Sequence, residues 1–220
     1  KESYTYYLDY TGQIAAAKYS STESTANVKY GYLVTADEES GEVGIVDANG
    51  KYDAYKFKSS IRLDGDKTSN SNTIFTRIKN AASTVNANKL GDATVTAYSQ
   101  PIRYSASERV IDMLDTIVDD KSGVNDNFSY DGQLAGAKGN TTTSKVVVDG
   151  NSFGIKSTTI VFYVPDNRAD WNSYKVMDHK VFEAIEECYA EVFAYDHAAE
   201  KANLVLVYGA NPKYVFTGSS

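Results

Sequence analysis

Short alternations of apolar and polar residues, broken by Gly, Asn or Asp, recur along most of the chain. A side-chain period of two is that of a β-strand, and such breaks are typical of tight turns. The pattern predicts strands in stretches that are rich in aromatic and β-branched residues, among them YTYYLD, YGYLVTA, EVGIVD, KYDAYKF, STTIVFYVP and NLVLVYG. We therefore predict a mostly β protein.

Turn signals join several of these strands. Gly12 supplies a positive φ between YTYYLD and QIAAAK, and the pair Asn49-Gly50 favours a type I′ turn between EVGIVD and KYDAYKF. A further turn is predicted at Ser107-Glu108, between QPIRYSA and RVIDMLDTIV. The latter stretch also has apolar residues at helical spacing, but its alternation directly after a strand favours β structure. The stretch ATVTAYS, at 93–99, is likewise predicted as a strand.

Two parts of the chain depart from the β pattern. The segment HKVFEAIEECYA predicts one short helix at about 181–187. Residues 60–92 are polar and less periodic, and we interpret them as an insertion in which TIFTRIKNAAS fits either a short helix or a strand.

The chain contains short internal matches. DYTGQIAAAK at 9–18 resembles SYDGQLAGAK at 129–138, AYKFKS at 54–59 resembles SYKVMD at 173–178, and ATVTAYS at 93–99 resembles AEVFAYD at 190–196. Three matches in the same order indicate a repeated unit, with an insertion in the first copy. We predict two related small antiparallel β-barrel or β-sandwich units at 1–100 and 101–220, with the short helix in the second.

Composition and charge narrow the classes of partner. The chain has 220 residues and a formal net charge of −7. Nucleic-acid binding needs clustered Lys and Arg, so nucleic acid is not an expected partner. No apolar run approaches the ~20 residues of a membrane-spanning helix. Cys188 is the sole cysteine, which excludes an internal disulfide and makes a small buried side chain the favoured interpretation.

Catalytic and metal-binding patterns are weak. His179 and His197 lack neighbours at metal-ligand spacing, and we interpret both as solvated loop residues, so no enzyme activity is predicted. Acidic loops at 37–42, 64–70 and 119–127 offer carboxylates for calcium, but the full EF-hand spacing is absent and solvated turns are favoured. No cofactor is expected, with calcium as the alternative.

Aromatic residues give the one candidate for ligand binding. The chain has 18 tyrosines, and most of those in strand patterns are expected to stabilise sheets through cross-strand pairs. Trp171 lies in the loop PDNRADWNSY, where it either covers an edge of the core or marks a binding surface. An exposed aromatic row beside Trp171 favours a binding module, whereas burial of the tyrosines favours a structural role.

The order of these phrases resembles a known class of proteins. YYLDYTGQIAAAK, YGYLVTA, IRYSASERVIDMLDT, STTIVFYVPDN and AEVFAYDHAAEKANLVLVY are similar to β-rich regions of Gram-positive cell-surface proteins that carry S-layer homology domains elsewhere in the chain. The resemblance implies an extracellular, non-catalytic structural or spacer segment at the cell surface or cell wall. It implies other domains of the same protein as partners, together with neighbouring surface-layer subunits or cell-wall polysaccharide. A module that binds carbohydrate or a host ligand through Trp171 and exposed tyrosines is the alternative.

Overall fold

A computed structural model describes residues 3–8, 14–20, 28–86, 94–117, 130–132, 139–142, 145–148, 150–183, 187–196 and 199–208. The prediction of a mostly β protein is confirmed. The described strands are β1 (Ser3–Leu8), β2 (Ile14–Ser20), β3 (Val28–Asp37), β4 (Glu42–Asp47), β5 (Tyr52–Leu63), β6 (Asp66–Thr68), β7 (Gln100–Ser107), β8 (Val110–Asp115), β9 (Tyr130–Gly132), β10 (Gly139–Thr142), β11 (Lys145–Val148), β12 (Asn151–Gly154), β13 (Ile160–Val164), β14 (Lys175–Met177), β15 (Glu187–Asp196) and β16 (Lys201–Tyr208). Strands β1 and β2 form an antiparallel pair.

The first large sheet joins β3 to β8. Antiparallel pairings link β4 to β3, β3 to β7, β7 to β8 and β4 to β5. A parallel pairing between β5 and β8 completes a closed circuit of hydrogen-bonded strands, and β6 is added outside it on β5. The expectation of purely antiparallel pairing is wrong at this pair and at the pair of β13 with β16 in the second large sheet.

The second large sheet repeats this order of pairings. Strands β9 and β10 both pair with β15, β10 pairs with β11, and β11 pairs with β12. Strand β13 pairs with β16 in parallel, β16 pairs with β15, and β14 is added on β13. Strands β12 and β13 together occupy the position of the long β5, whose partner changes from β4 to β8 along its length.

Three apolar clusters lie on the faces of these sheets. The cluster on the inner face of the first sheet includes Leu33, Ile45 and Tyr104. The corresponding cluster of the second sheet includes Val161, Val192 and Val205. A third cluster, the joining core, contains residues of both sheets: Tyr32, Val34, Val46, Phe162, Val164, Tyr174, Phe193, Ala194, Leu204, Leu206 and Tyr208. Strand alternation explains this division, because neighbouring residues such as Leu33 and Val34 point to opposite faces.

The long helix lies where the sequence predicted a polar insertion. Helix α1 spans Ser71–Asn86, and Asn70 accepts a hydrogen bond from the backbone NH of Thr73 at its start. Its apolar residues Ile74, Phe75 and Ile78 pack into the inner cluster of the first sheet. The predicted short helix at 181–187 is only partly present, as a 3-10 turn over His179–Glu183 followed by β15 from Glu187. Residues 184–186 lie outside the described residues.

The structure agrees with the predicted strand after Ser107 and differs from the predictions at residues 94–99 and at the turn of Asn49 and Gly50. RVIDMLDTIV forms a strand at Val110–Asp115, as preferred. Residues 94–99 are not a strand, because they contain only an isolated bridge between Thr94 and Asn167. The turn at Asn49-Gly50 is not type I′, since Gly50 has a positive φ and Asn49 does not. The NH of Gly50 instead bonds the carbonyl of Asp47 at 2.9 Å.

The internal sequence matches and the strand pairings give different equivalences. Residues 54–59 lie in β5, whereas 173–178 span a 3-10 turn and β14. Residues 94–99 match a part of β15 but do not form a strand. In the first match, 9–13 and 133–138 lie outside the described residues. The first large sheet includes β7 and β8 and so continues to Asp115, past the predicted boundary between 100 and 101.

Candidate functional site

Trp171 is held in a short, well-bonded turn. It starts the 3-10 turn Trp171–Ser173, in which the carboxylate of Asp170 accepts from the backbone NH of Asn172 at 3.2 Å and from the hydroxyl of Ser173 at 2.6 Å. The NH of Trp171 donates to the carbonyl of Ala169 at 3.1 Å. The turn therefore fixes the backbone that carries the indole, while the side chain stays 42% exposed.

The indole stacks on Tyr52 of the first sheet. Their ring centroids lie 4.7 Å apart with an interplanar angle of 22°. The hydroxyls of Tyr52 and Thr35 share a hydrogen bond of 3.1 Å, which fixes the phenol in turn. Gly44 lies next to the two hydroxyls, and a methyl group on Gly44 would overlap both of them. We call Trp171 and Tyr52 the aromatic pair.

The other tyrosines whose side chains the structure describes do not form an exposed row beside it. Among tyrosines whose side chains the structure describes, each is buried or half-buried. Tyr32 packs against Tyr174 with centroids 5.0 Å apart, and Tyr55 packs edge-on against Tyr104 at 5.7 Å. Trp171 was expected either to cover an edge of the core or to mark a binding surface. It covers Tyr52 at the edge of the joining core, and its ring is also exposed.

A buried group of polar side chains lies beside the joining core. Arg168 and Glu191 are 2% and 3% exposed. The guanidinium of Arg168 lies over the ring of Tyr208 at 5.0 Å, and the hydroxyl of Tyr208 bonds the carboxylate of Glu191. The hydroxyl of Tyr174 donates to the carbonyl of Arg168 at 2.9 Å. Because this group is sealed from solvent, it can specify how the sheets pack but cannot reach a dissolved substrate.

Burial dominates the proton affinities in this group. It raises the pKa of Tyr32 to about 12, against the opposing effect of the positive charge on Arg168. Burial also raises the pKa of Tyr174 and Tyr208 well above the usual range. For Arg168, burial disfavours the charge, but the neighbouring Tyr32, Tyr208 and Glu191 outweigh it and raise the pKa. These phenols therefore remain neutral and the guanidinium remains charged at ordinary pH.

The acidic loops at 37–42 and 64–70 use carboxylates within the fold. Asp37 accepts hydrogen bonds from the backbone NH groups of Glu39 and Ser40 in its own turn. Asp64 is buried rather than solvated, since its Oδ1 accepts from the NH and hydroxyl of Thr116 at 2.7 and 2.9 Å. No group of three or more His, Cys, Asp or Glu that could hold a metal ion occurs in the described part of the chain.

Other candidate residues are placed only in part. The Nδ1 atom of His179 lies 3.0 Å from a carboxylate oxygen of its neighbour Asp178. His197 and the acidic loop at 119–127 lie outside the described residues, and the side chain of Cys188 does also. Within the described ranges, no helix is both long and apolar enough to cross a membrane.

Arg168 and Glu191 were not among the residues predicted from the sequence to have a functional role. Glu191 alternates with Ala190 and Val192, which point into the inner cluster of the second sheet, and this alternation is the signal that places Glu191 on the opposite face. Arg168 carries no such signal, because it lies in an irregular loop where arginine is usually exposed.

Comparison with known proteins gives no relative. No family model, curated protein or solved structure matches the chain.

Proposed function

We propose that the chain is a non-catalytic structural segment of a bacterial cell-surface protein. The observation that carries this proposal is the joining core, in which side chains from both large sheets form one apolar cluster. Buried contact of this kind makes relative motion of the sheets costly, as a spacer requires. Most tyrosines whose side chains the structure describes belong to the three apolar clusters or pack against them, an arrangement that favours a structural role.

The two circuits of strands are, in this proposal, two copies of one small barrel. Their pairings follow the same order, including one parallel pair in each sheet and the short strand added beside it. In the first sheet pairings close the circuit, and in the second the chain continues from β12 into β13 at the corresponding place. The order matches that of five-stranded Greek-key barrels of the OB type. Such folds serve many functions, so topology alone chooses none of them.

The proposed structural role at the cell surface also indicates which partners the chain has. The expected partners are other domains of the same surface protein and neighbouring subunits of a surface layer. The added strands β6 and β14 have three residues each, and short edge strands disfavour pairing with strands of another chain. Contacts with neighbours are therefore proposed to use side chains on the outer surface.

Labelling of intact cells tests this proposal. An antibody raised against the purified chain is applied to cells of the encoding organism before and after permeabilisation. Surface label on intact cells, removed by external protease, is expected. Label that requires permeabilisation would overturn the extracellular location and with it the proposed role.

A further inference from the structure

The aromatic pair is a rigid ring surface at the boundary between the two large sheets. Trp171 belongs to the loop after β13, whereas Tyr52 begins β5. The bonded turn at Asp170 holds the backbone of Trp171, and the indole stacks on Tyr52, whose hydroxyl bonds that of Thr35. A planar ring that is already ordered loses little conformational entropy when a ligand stacks on it.

Exposure separates Trp171 from the other described aromatic residues. It is 42% exposed, and Val110, at 39%, is the other large apolar side chain with comparable exposure among the described residues. Tyr52 packs against the joining core, so the ring beneath the indole is anchored in the fold. The fold thus presents one indole to solvent from a rigid base.

Exposed polar residues lie next to Trp171 in the chain and along the adjoining turn. A methyl group placed on Gly50 would lie 3.7 Å from the backbone nitrogen of Val176, so the turn between β4 and β5 lies against β14. Asn172 and Lys175 on one side are exposed, as are Asn49 and Lys51 in that turn, whose side chains also bond the carboxylates of Asp47 and Asp53. These amides and ammonium groups are hydrogen-bonding groups of the kind that bind hydroxyls and acetamido groups.

We infer that the aromatic pair is a stacking site for a pyranose ring of a neutral glycan. The C–H groups on one face of a pyranose carry partial positive charge, and the face of an indole is the negative part of its quadrupole. A polyanion is disfavoured by the net charge of −7. A nucleic acid, whose bases could also stack on an indole, is disfavoured for the same reason, because its phosphates would need cations to neutralise them. This inference does not depend on the proposed structural role.

Fluorescence provides a direct readout, because Trp171 is the single tryptophan of the chain. The probe is chitotetraose, a neutral oligosaccharide of N-acetylglucosamine, titrated into the intact protein, with cellotetraose as a second neutral probe. We expect a saturable shift of emission and protection from acrylamide quenching, with a Kd on the order of 1 mM for a single stacking surface. No saturable change with either probe overturns the inference.

Variants then locate the site by affinity electrophoresis in gels that contain glycol chitin or hydroxyethylcellulose, soluble polymers of the two probe types. Trp171→Ala is expected to weaken retardation at least tenfold, whereas Tyr52→Phe keeps the ring and is expected to retain it. Val110→Ala, which removes the other exposed apolar side chain, is the matched control and is expected to behave as wild type. Circular dichroism melting checks that each variant is folded. Retardation that survives Trp171→Ala, or is lost equally in Val110→Ala, overturns the assignment.

Discussion

The guanidinium of Arg103 donates from Nε to Oδ2 of Asp115 at 2.8 Å, across a directly opposed pair of residues in β7 and β8. The two side chains are only 11% and 3% exposed. Removing one partner of a buried ion pair leaves the other charge uncompensated. We therefore expect Asp115→Asn to lower the free energy of unfolding by roughly 3–5 kcal/mol, measured by urea denaturation.

Asp112→Asn is the control for this prediction. Asp112 lies on the same strand but is exposed, so the same chemical change is expected to alter stability by less than about 0.5 kcal/mol. Equal effects of the two substitutions would show that the pairing with Arg103 is not the cause.

Two buried tyrosine hydroxyls should respond in opposite ways to removal. The hydroxyl of Tyr104 is buried without a hydrogen-bond partner among the described residues, whereas that of Tyr174 donates to the carbonyl of Arg168. Tyr104→Phe is expected to leave stability unchanged or raise it by up to about 1 kcal/mol, because it removes a desolvated polar group. Tyr174→Phe is expected to cost about 1–2 kcal/mol, because it leaves an acceptor unsatisfied. Thermal denaturation of both variants measures the contrast, which a comparable loss in each would contradict.

Alkaline pH should destabilise the fold through its buried phenols. Burial raises the pKa of Tyr32 to about 12 and raises those of Tyr104, Tyr174 and Tyr208. An unfolded tyrosine has a pKa of about 10, so the folded chain holds these protons more tightly. The resulting stability is fully present below pH ~10 and falls as the pH rises from about 10 toward 12. The tyrosinate absorbance of these buried residues should rise over the same pH range in which the far-ultraviolet circular dichroism of the folded chain is lost. Full ionisation of all tyrosines near pH 10 in a chain that stays folded would contradict this.

A substitution in the turn between β7 and β8 should make the fold more stable. Ser107 pairs directly with Val110, and the two residues between them, Glu108 and Arg109, have φ of 51° and 64°. Positive φ at both central positions defines a type I′ turn, which favours Asn or Gly. Glu108→Asn is expected to raise the free energy of unfolding by about 0.5–1 kcal/mol while keeping the ion pair of Arg109 with Asp53. Urea denaturation measures the gain, and Glu39→Asn, in a turn position without positive φ, should show none.

Local pattern predicted most strands because they are rich in aromatic and β-branched residues and end at turn residues. One buried face was not the signal, since strands such as β3, β4 and β7 bury consecutive residues on both faces. Local pattern was less informative for α1, whose stretch SNTIFTRIKNAASTVN is rich in Asn, Ser and Thr, residues with modest helix propensity. Packing of Ile74, Phe75 and Ile78 stabilises that helix, and packing is not visible in propensity. The parallel pairing of β5 with β8 joins distant strands and leaves no local signal. For the same reason, sequence marked Trp171 as a candidate but could not identify Tyr52 as its stacking partner.

The strand β8, which closes the first circuit, is also the last strand of that circuit to be synthesised. Strand β8 ends at Asp115, so every strand of the first circuit has left the ribosome before β13 to β16 are made. Domains fold from the N-terminus as they emerge. Tyr32, Val34 and Val46 are then already arranged as an apolar surface, on which side chains of β13 and β16 pack later. During translation this surface is transiently bare, and it is where a chaperone would be needed if synthesis pauses after residue 115.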